Sequence, residues 1–248
     1  MSTDPSQETP PIEGHEVHVW QLGLEPLGAP MSDPASCLSP DERERAARFL
    51  FAIHRRRWVA ARMAMRQVLA RYTGATPASL RFRYDAHGKP ALLPPHDKVH
   101  FNLTHSHDLG LLAIEPGPVG IDAERIDRRT DFEALMRHVA SEDEREALFR
   151  CPVAEKRVGF FRLWTRKEAY IKGRGLGLSL PLRAITVPVT ALQGPADIRV
   201  EAEWDDCKPW RLRDLEVPPS YTASLAYAGR IDRLWPHVWP PTDHAATG

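Results

Sequence analysis

Two α+β halves of similar make-up, carried in one chain and meeting along an interface, are the fold this sequence predicts. Three observations point there. The 248 residues suffice for one large core or two small ones. A Glu115-Pro116-Gly117-Pro118 turn punctuates the chain near its middle. On either side the patterning runs in one order, strand, helix, then several antiparallel strands, although no residue-level repeat is visible. The halves fall at 15–117 and 118–235, between a polar, proline-rich N-terminal tail of residues 1–14 and a loose C-terminal tail over 236–248. A cleft between two such halves is a usual place for a ligand.

The elements follow in order. His15 to Leu22 alternates loosely and reads as a strand. Ser39-Pro40-Asp41-Glu42 starts a helix, with Ser39 as cap, Pro40 in the first turn and Glu42 completing a capping box. Leu50, Ile53, Ala61, Met65, Val68, Leu69 and Tyr72 then recur at helical spacing up to a stop at Gly74, with a kink expected near Phe51 to His54. Strands are expected over Leu80–Tyr84, Ala91–Leu93, Val99–Leu103, Leu109–Ile114 and Val119–Glu124. Helices are expected over Phe132–Val139, Ser141–Phe149 and Ala154–Lys172, then strands over Ala184–Val189, Ile198–Trp204, Trp210–Leu215 and Tyr221–Tyr227.

Composition removes several function classes. Lys plus Arg and Asp plus Glu number 33 each, so the chain as a whole carries no polyanion-binding charge. Cys37, Cys151 and Cys207 are sparse and odd in number, which argues against a disulfide framework or a structural zinc. No apolar run approaches the ~20 residues of a membrane helix, and no secretory leader pattern is present; a cytoplasmic protein is the expectation.

Four stretches carry chemistry. In Val119-Gly120-Ile121-Asp122-Ala123-Glu124, alternation turns Val119 and Ile121 to a core and sets Asp122 and Glu124 on the opposite face. Carboxylates ~7 Å apart on one face repel unless a cation lies between them, and magnesium characteristically takes one or two protein carboxylates plus water and phosphate. A solvated strand face reads the same pair without a metal. Trp164, Glu168 and Lys172 lie one above the other on a helix, which equally describes a packed Trp beside a surface ion pair. The glycine loop that follows, Gly173-Arg174-Gly175-Leu176-Gly177, leaves a helix rather than a strand and lacks the dinucleotide spacing. Phe101-Asn102-Leu103-Thr104-His105-Ser106-His107-Asp108 brings Thr104 and His105 to a strand end; its His-x-His pair lacks the further ligands of a zinc hydrolase. Finally, Arg57 sits on the apolar phase of the first long helix among Arg43, Arg45, Arg48, Arg55 and Arg56, with Lys89 in the turn Gly88-Lys89-Pro90. A buried arginine calls for an anion.

Taken together, V-G-I-D-x-E, W-x-x-K-E-A-x-x-K running into K-G-x-G-x-G-L, F-N-x-[ST]-H-S and G-K-P resemble, in order and spacing from about Ser39 to Leu182, the surfactin-synthetase-activating (Sfp) type of 4′-phosphopantetheinyl transferase. The resemblance implies a pseudo-dimer of two α+β halves with the site at their interface. It also implies transfer of phosphopantetheine from coenzyme A to a serine of an acyl or peptidyl carrier protein, with release of 3′,5′-ADP. By the same resemblance Asp122, Glu124 and Glu168 match magnesium ligands, Glu168 doubles as base toward the serine, and Lys172 stabilises charge or protonates the leaving group. Thr104, His105 and Lys167 match positions facing the nucleotide's phosphates, and Arg45, Arg57 and Lys89 further phosphate ligands. A family lysine near the 3′-phosphate corresponds here to Glu42. Arg174 and the apolar Leu176–Leu182 stretch are expected to dock the carrier, and a monomer suffices because both halves lie in one chain. The rival readings are a magnesium-dependent nucleotide phosphohydrolase using the same acids and a basic nucleic-acid-binding module; neutral charge and the lack of interleaved aromatics disfavour the second.

Overall fold

The computed structural model describes residues 12, 14–24 and 36–240. The N-terminal tail apart from residues 12 and 14, and the last eight residues, lie outside them. The first half opens with β1 (Glu16–Gly23), α1 (Pro40–Ala47) and α2 (Ala52–Thr73), followed by β2 (Phe82–Tyr84), β3 (Pro90–Leu92), β4 (His100–Ser106) and β5 (Leu109–Glu115). The second runs β6 (Val119–Arg125), α3 (Phe132–Val139), α4 (Glu142–Arg150), α5 (Val153–Arg174), β7 (Ile185–Thr186), β8 (Ala196–Asp197), β9 (Arg199–Val200), β10 (Trp210–Asp214) and β11 (Tyr221–Ala228), with β12 (Arg233–Trp239) last.

The internal symmetry is topological. One sheet has the order β12-β1-β5-β4 and the other β6-β11-β10-β8. In each, the opening strand pairs antiparallel with a strand that follows the half's long helix, β1 with β5 and β6 with β11. Both long helices, α2 and α5, have 22 residues and end on a left-handed glycine, Gly74 and Gly175, each at φ 69°. Glycine suits that position because it has no Cβ to clash. The predicted kink is a full break: residues 48–51 leave the helical path between α1 and α2. The strand expected over Ala184–Val189 contracts to the two residues of β7, and that over Ile198–Trp204 to β9 plus a 3₁₀ turn at Ala202–Trp204.

The chain end departs from expectation. Residues from 236 onward read as a loose tail, yet Arg233–Trp239 forms β12, parallel to β1 with Glu16 opposite Arg233 and Leu22 opposite Trp239. Aromatic packing holds it there. The His237 ring stacks on Trp20 at 4.3 Å, and Trp239 meets Trp20 edge-on at 6.1 Å and donates from Nε1 to Gln67 Oε1 at 3.2 Å. Polar composition hid a strand whose apolar content is concentrated in tryptophan.

Each half has its own core, and a third lies between them. Val17, Val19, Leu109, Leu111 and Ala113 from one sheet pack against Val119, Ile121, Ala123, Leu225 and Tyr227 from the other. This is the core that Val119 and Ile121 were expected to face. On its opposite face, β6 lies directly against α5. A Cβ on Gly120 would stand 2.0 Å from the Ala169 carbonyl oxygen and 2.3 Å from the Gly173 nitrogen. Only a strand without a side chain at that point lets the helix approach so closely. Gly120→Ala is therefore expected to cost about 3 kcal/mol or more, the upper range for overpacking, since backbone cannot rotate away. Thermal unfolding measures it; a midpoint like wild type would show that α5 tolerates displacement from β6.

Candidate active site at the junction of the two halves

Close contact of β6 with α5 sets up the site. Asp122, only 2% exposed, faces the helix stripe formed by Glu168 and Lys172. Lys172 Nζ donates to Asp122 Oδ1 at 2.6 Å and to Thr104 Oγ1 at 3.2 Å. Thr104 Oγ1 in turn donates to the same Asp122 oxygen at 3.1 Å. The other oxygen, Oδ2, is buried with no hydrogen-bond partner. Two positions on, Glu124 Oε2 accepts from Ser106 Oγ at 3.0 Å.

These carboxyls feel one another. Burial, reinforced by the neighbouring Asp122 and Glu168, pushes the Glu124 carboxyl up to about 7. Burial and then Asp122 raise that of Glu168. Burial opposes the charge on Lys172, but Asp122, Glu168 and Glu124 outweigh it and hold the ammonium above its usual range. Three acids converging on one lysine form a charge-deficient site in which protons or cations are taken up readily.

The cationic wall comes from the first half. His105, at the surface end of β4, is held below the usual imidazole value by the protein atoms crowding it and then by Lys172, Arg62 and Arg57. The charge of Arg57 also reaches His107 and Asp108, so this residue borders the strand end. Arg45 is exposed and lies over the Trp58 ring at 5.7 Å, with Arg62 over the same ring at 5.5 Å. Lys89 bridges the halves, donating from Nζ to the Lys172 carbonyl at 2.5 Å and the Val119 carbonyl at 3.3 Å. Its ammonium is lowered to about 8 by burial and by Lys172. A cavity of about 300 Å³ opens beside it, lined from both halves by Tyr84, His100, Phe101, Pro118 and Arg174 among others.

Two expectations need correction. Lys167 does not join the site. It is fully buried, donating to Glu144 Oε2 at 2.5 Å and to the carbonyls of Val139 and Leu182 at 2.7 and 2.9 Å. Adjacent residues on a helix point about 100° apart, so Lys167 faces the second half's core whenever Glu168 faces β6. The docking assignment of Arg174 also changes. Its guanidinium is engaged by Asp206 at 3.1 Å, the Tyr170 hydroxyl at 2.5 Å and the Trp204 carbonyl at 3.0 Å. Leu180 is buried, and Leu176 and Leu182 pack against the same core, so these three leucines serve folding.

Glu42 is placed by a different need. It is 1% exposed and accepts from Arg66 Nε at 2.7 Å, with Arg62 Nε 3.8 Å away and the Ser39 backbone N–H donating at 3.1 Å. The residue that departs from the family's lysine is thus the counter-charge to buried arginines one helix away. Arg62, Arg66 and the counter-charge role of Glu144 escaped sequence reasoning, because burial of a charge has no local signature; Glu144 was legible only as the capping-box partner of Ser141. Asn102 and Ser106 were legible in principle: polar side chains at 102, 104 and 106 share one face of β4.

Among the described residues, no group of three or more acid, histidine or cysteine side chains is already gathered as a metal cage. The donor set nevertheless fits a hard cation. Asp122 keeps a buried, unpartnered oxygen, Glu124 and Glu168 carry raised carboxyls, and Lys172 supplies the positive charge that pairs with Asp122.

Comparison with known proteins agrees with this architecture. Residues 118–225 match the model of the 4′-phosphopantetheinyl transferase superfamily and residues 24–117 that of the 4′-phosphopantetheinyl transferase N-terminal domain. The 4′-phosphopantetheinyl transferase HetI of Nostoc sp. is 36% identical over 217 residues, covering 86% of this chain and 88% of that protein. Sfp of Bacillus subtilis is 30% identical over 193 residues, covering 78% and 83%. The L-aminoadipate-semialdehyde dehydrogenase-phosphopantetheinyl transferase of Pongo abelii is 25% identical, covering 76% and 66%. On the strength of these similarities, the chain belongs to the 4′-phosphopantetheinyl transferase superfamily.

Proposed function

We propose that this protein transfers the 4′-phosphopantetheine arm of coenzyme A to a serine hydroxyl of an acyl or peptidyl carrier protein, using magnesium and releasing 3′,5′-ADP. The observation that carries the reading is the convergence of Asp122 and Glu124 on β6 with Glu168 and Lys172 on α5, beside the cationic end of β4. Asp122, Glu124 and Glu168 would hold the ion, which when bound neutralises pyrophosphate oxygens and polarises the phosphorus they surround.

The remaining work falls to this chain's own groups. Arg57 and His105 border the anionic donor, with Lys89 and Thr104 on the β6 side; Arg45 stands further out on α1. Glu168, with its raised carboxyl, is a stronger base than an ordinary glutamate and takes the serine proton as the oxygen attacks phosphorus. The P–O bond to the 3′,5′-ADP oxygen breaks as the serine–phosphorus bond forms, and the Lys172 ammonium meets the charge growing on the departing phosphate. Holding serine and donor in line supplies much of the acceleration in transfers of this kind. Monomeric action and a cytoplasmic setting accompany the reading; no helix among the described residues is long and apolar enough to cross a membrane.

Intact mass of an apo carrier domain, after incubation with this protein, coenzyme A and magnesium, tests the proposal. A gain of one phosphopantetheine group that EDTA abolishes is expected. Release of 3′,5′-ADP without any carrier would favour a hydrolase instead.

Proton competition gives a second test. A carboxyl raised to about 7, as in Glu124, contributes stability below the unfolded value near 4.5 and loses it as pH rises through about 7. Glu115, raised to about 7 by burial alone, does the same without involving the site. The metal separates them: Mg²⁺ should raise the thermal midpoint more at pH 8 than at pH 6, because it replaces the proton on Glu124. An increment independent of pH would detach Glu124 from the metal.

A further inference from the structure

The face of β4 turned toward the second half is a polar comb. Asn102, Thr104 and Ser106 alternate along it and meet β6 in one register: Asn102 Oδ1 accepts from the Ile121 N–H at 2.8 Å, Thr104 reaches Asp122, and Ser106 reaches Glu124. Thr104–Asp122 and Ser106–Glu124 are each 18 residues apart, so the two contacts repeat with the strand period. Side chains here take the place of a neighbouring strand for two N–H groups of β6, since besides Ile121 the Arg125 N–H donates to Ser106 Oγ, at 3.2 Å.

A serine hydroxyl has one hydrogen to give and two lone pairs. With the Arg125 N–H occupying a lone pair, the Ser106 hydrogen is directed at Glu124 Oε2. One oxygen of Glu124 is therefore fixed from the opposite half, as Thr104 from that half, together with Lys172 of α5, fixes one oxygen of Asp122 while its other stays unpartnered. On β6, then, each acid has one oxygen tied from the first half.

We infer that Ser106 is a positioning residue for the metal ligand Glu124, so that the ion's affinity depends on alignment of the two halves although all three acids belong to the second. The inference rests on the magnesium-dependent transferase reading above. Outer-shell partners of ligating groups typically change metal affinity by about 10- to 100-fold when removed. Thr104 also touches Lys172 and so cannot isolate this role, whereas Ser106 touches none of the reacting groups except through Glu124.

The experiment compares the full-length wild type with Ser106→Ala, Ser106→Thr and Asn102→Ala. Two readouts are taken over a Mg²⁺ titration with coenzyme A present: the thermal midpoint, and transfer to an apo carrier domain well below that midpoint. Ser106→Ala should raise the half-effective Mg²⁺ concentration about tenfold in both, while maximal rate at saturating Mg²⁺ changes little. Ser106→Thr, which keeps the hydroxyl, should restore it. Asn102→Ala should lower the metal-free midpoint, because it orphans the Ile121 N–H, yet leave the Mg²⁺ requirement where it was.

A wild-type Mg²⁺ requirement in Ser106→Ala overturns the inference. So does an equal rise in Asn102→Ala, which would mean that any damage to the comb has the same effect. Failure of the underlying reading looks different: the wild type itself would show no Mg²⁺ dependence in either readout, and both would fall together.

Discussion

Glu168→Gln is expected to reduce phosphopantetheine transfer by about three orders of magnitude, within the 10²–10⁴ that a positioned base contributes and augmented by loss of a ligand charge. Glutamine keeps the shape and removes both the proton acceptor and the negative charge. The fold should survive unharmed. Glu168 is held against Asp122 in a partly desolvated place, and its carboxyl is raised for that reason. Neutralising it relieves repulsion, so the metal-free midpoint should equal or exceed that of wild type. Single-turnover transfer to an apo carrier, with thermal melting in parallel, measures both sides. Near wild-type turnover would remove Glu168 from the mechanism, and a collapsed midpoint would recast it as a structural residue.

Glu42→Ala should act in the opposite sense, on the fold before the chemistry. Removing one partner of a buried ion pair typically costs about 3–5 kcal/mol, because the other charge is left uncompensated. Here Arg66 would keep only the carbonyls of Pro77 and Leu80, and Arg62 would lose its nearby anion. In a chain of this size the midpoint should fall by about 10 °C. Glu42→Lys, which restores the family residue, is the sharper case. Resemblance alone suggests improved grip on the 3′-phosphate of coenzyme A. The buried Arg66 and Arg62 instead predict a loss of stability greater than that of Glu42→Ala, with three cations and no anion among them. Tighter coenzyme A binding by a stably folded Glu42→Lys protein would overturn this account of the position.

What was readable beforehand divides along physical lines. Strand and helix order was legible because both periodicities are strong, and Phe132–Val139 falls where its pattern put it. Asp122 and Glu124 could be assigned to one face of a strand, and Glu168 and Lys172 to one face of a helix, from periodicity alone. That these two faces meet was not legible: it depends on Gly120 and Gly173 thinning the contact between β6 and α5. Lys167 misled because motif membership gives no orientation. Glu144 and two carbonyls drew its ammonium into the core, where burial lowers it and Glu144 opposes that shift. Likewise, sequence singled out Arg57 as the arginine on the apolar phase of the helix, whereas the buried ones are Arg62 and Arg66, beside Glu42.

The strand β12 has a consequence for how the protein is made. Glu16 and Arg233 pair although more than two hundred residues separate them, so the first sheet is completed by a strand translated after every other strand described. As a chain leaves the ribosome, the early half has to wait with the outer edge of β1 bare while everything up to β11 is translated. Exposed edges of that kind are where nascent chains join the wrong partner. The seam that closes last, by His237 stacking on Trp20 and Trp239 meeting the same ring edge-on, is the step at which a chaperone or a lowered growth temperature should most improve the yield of active protein.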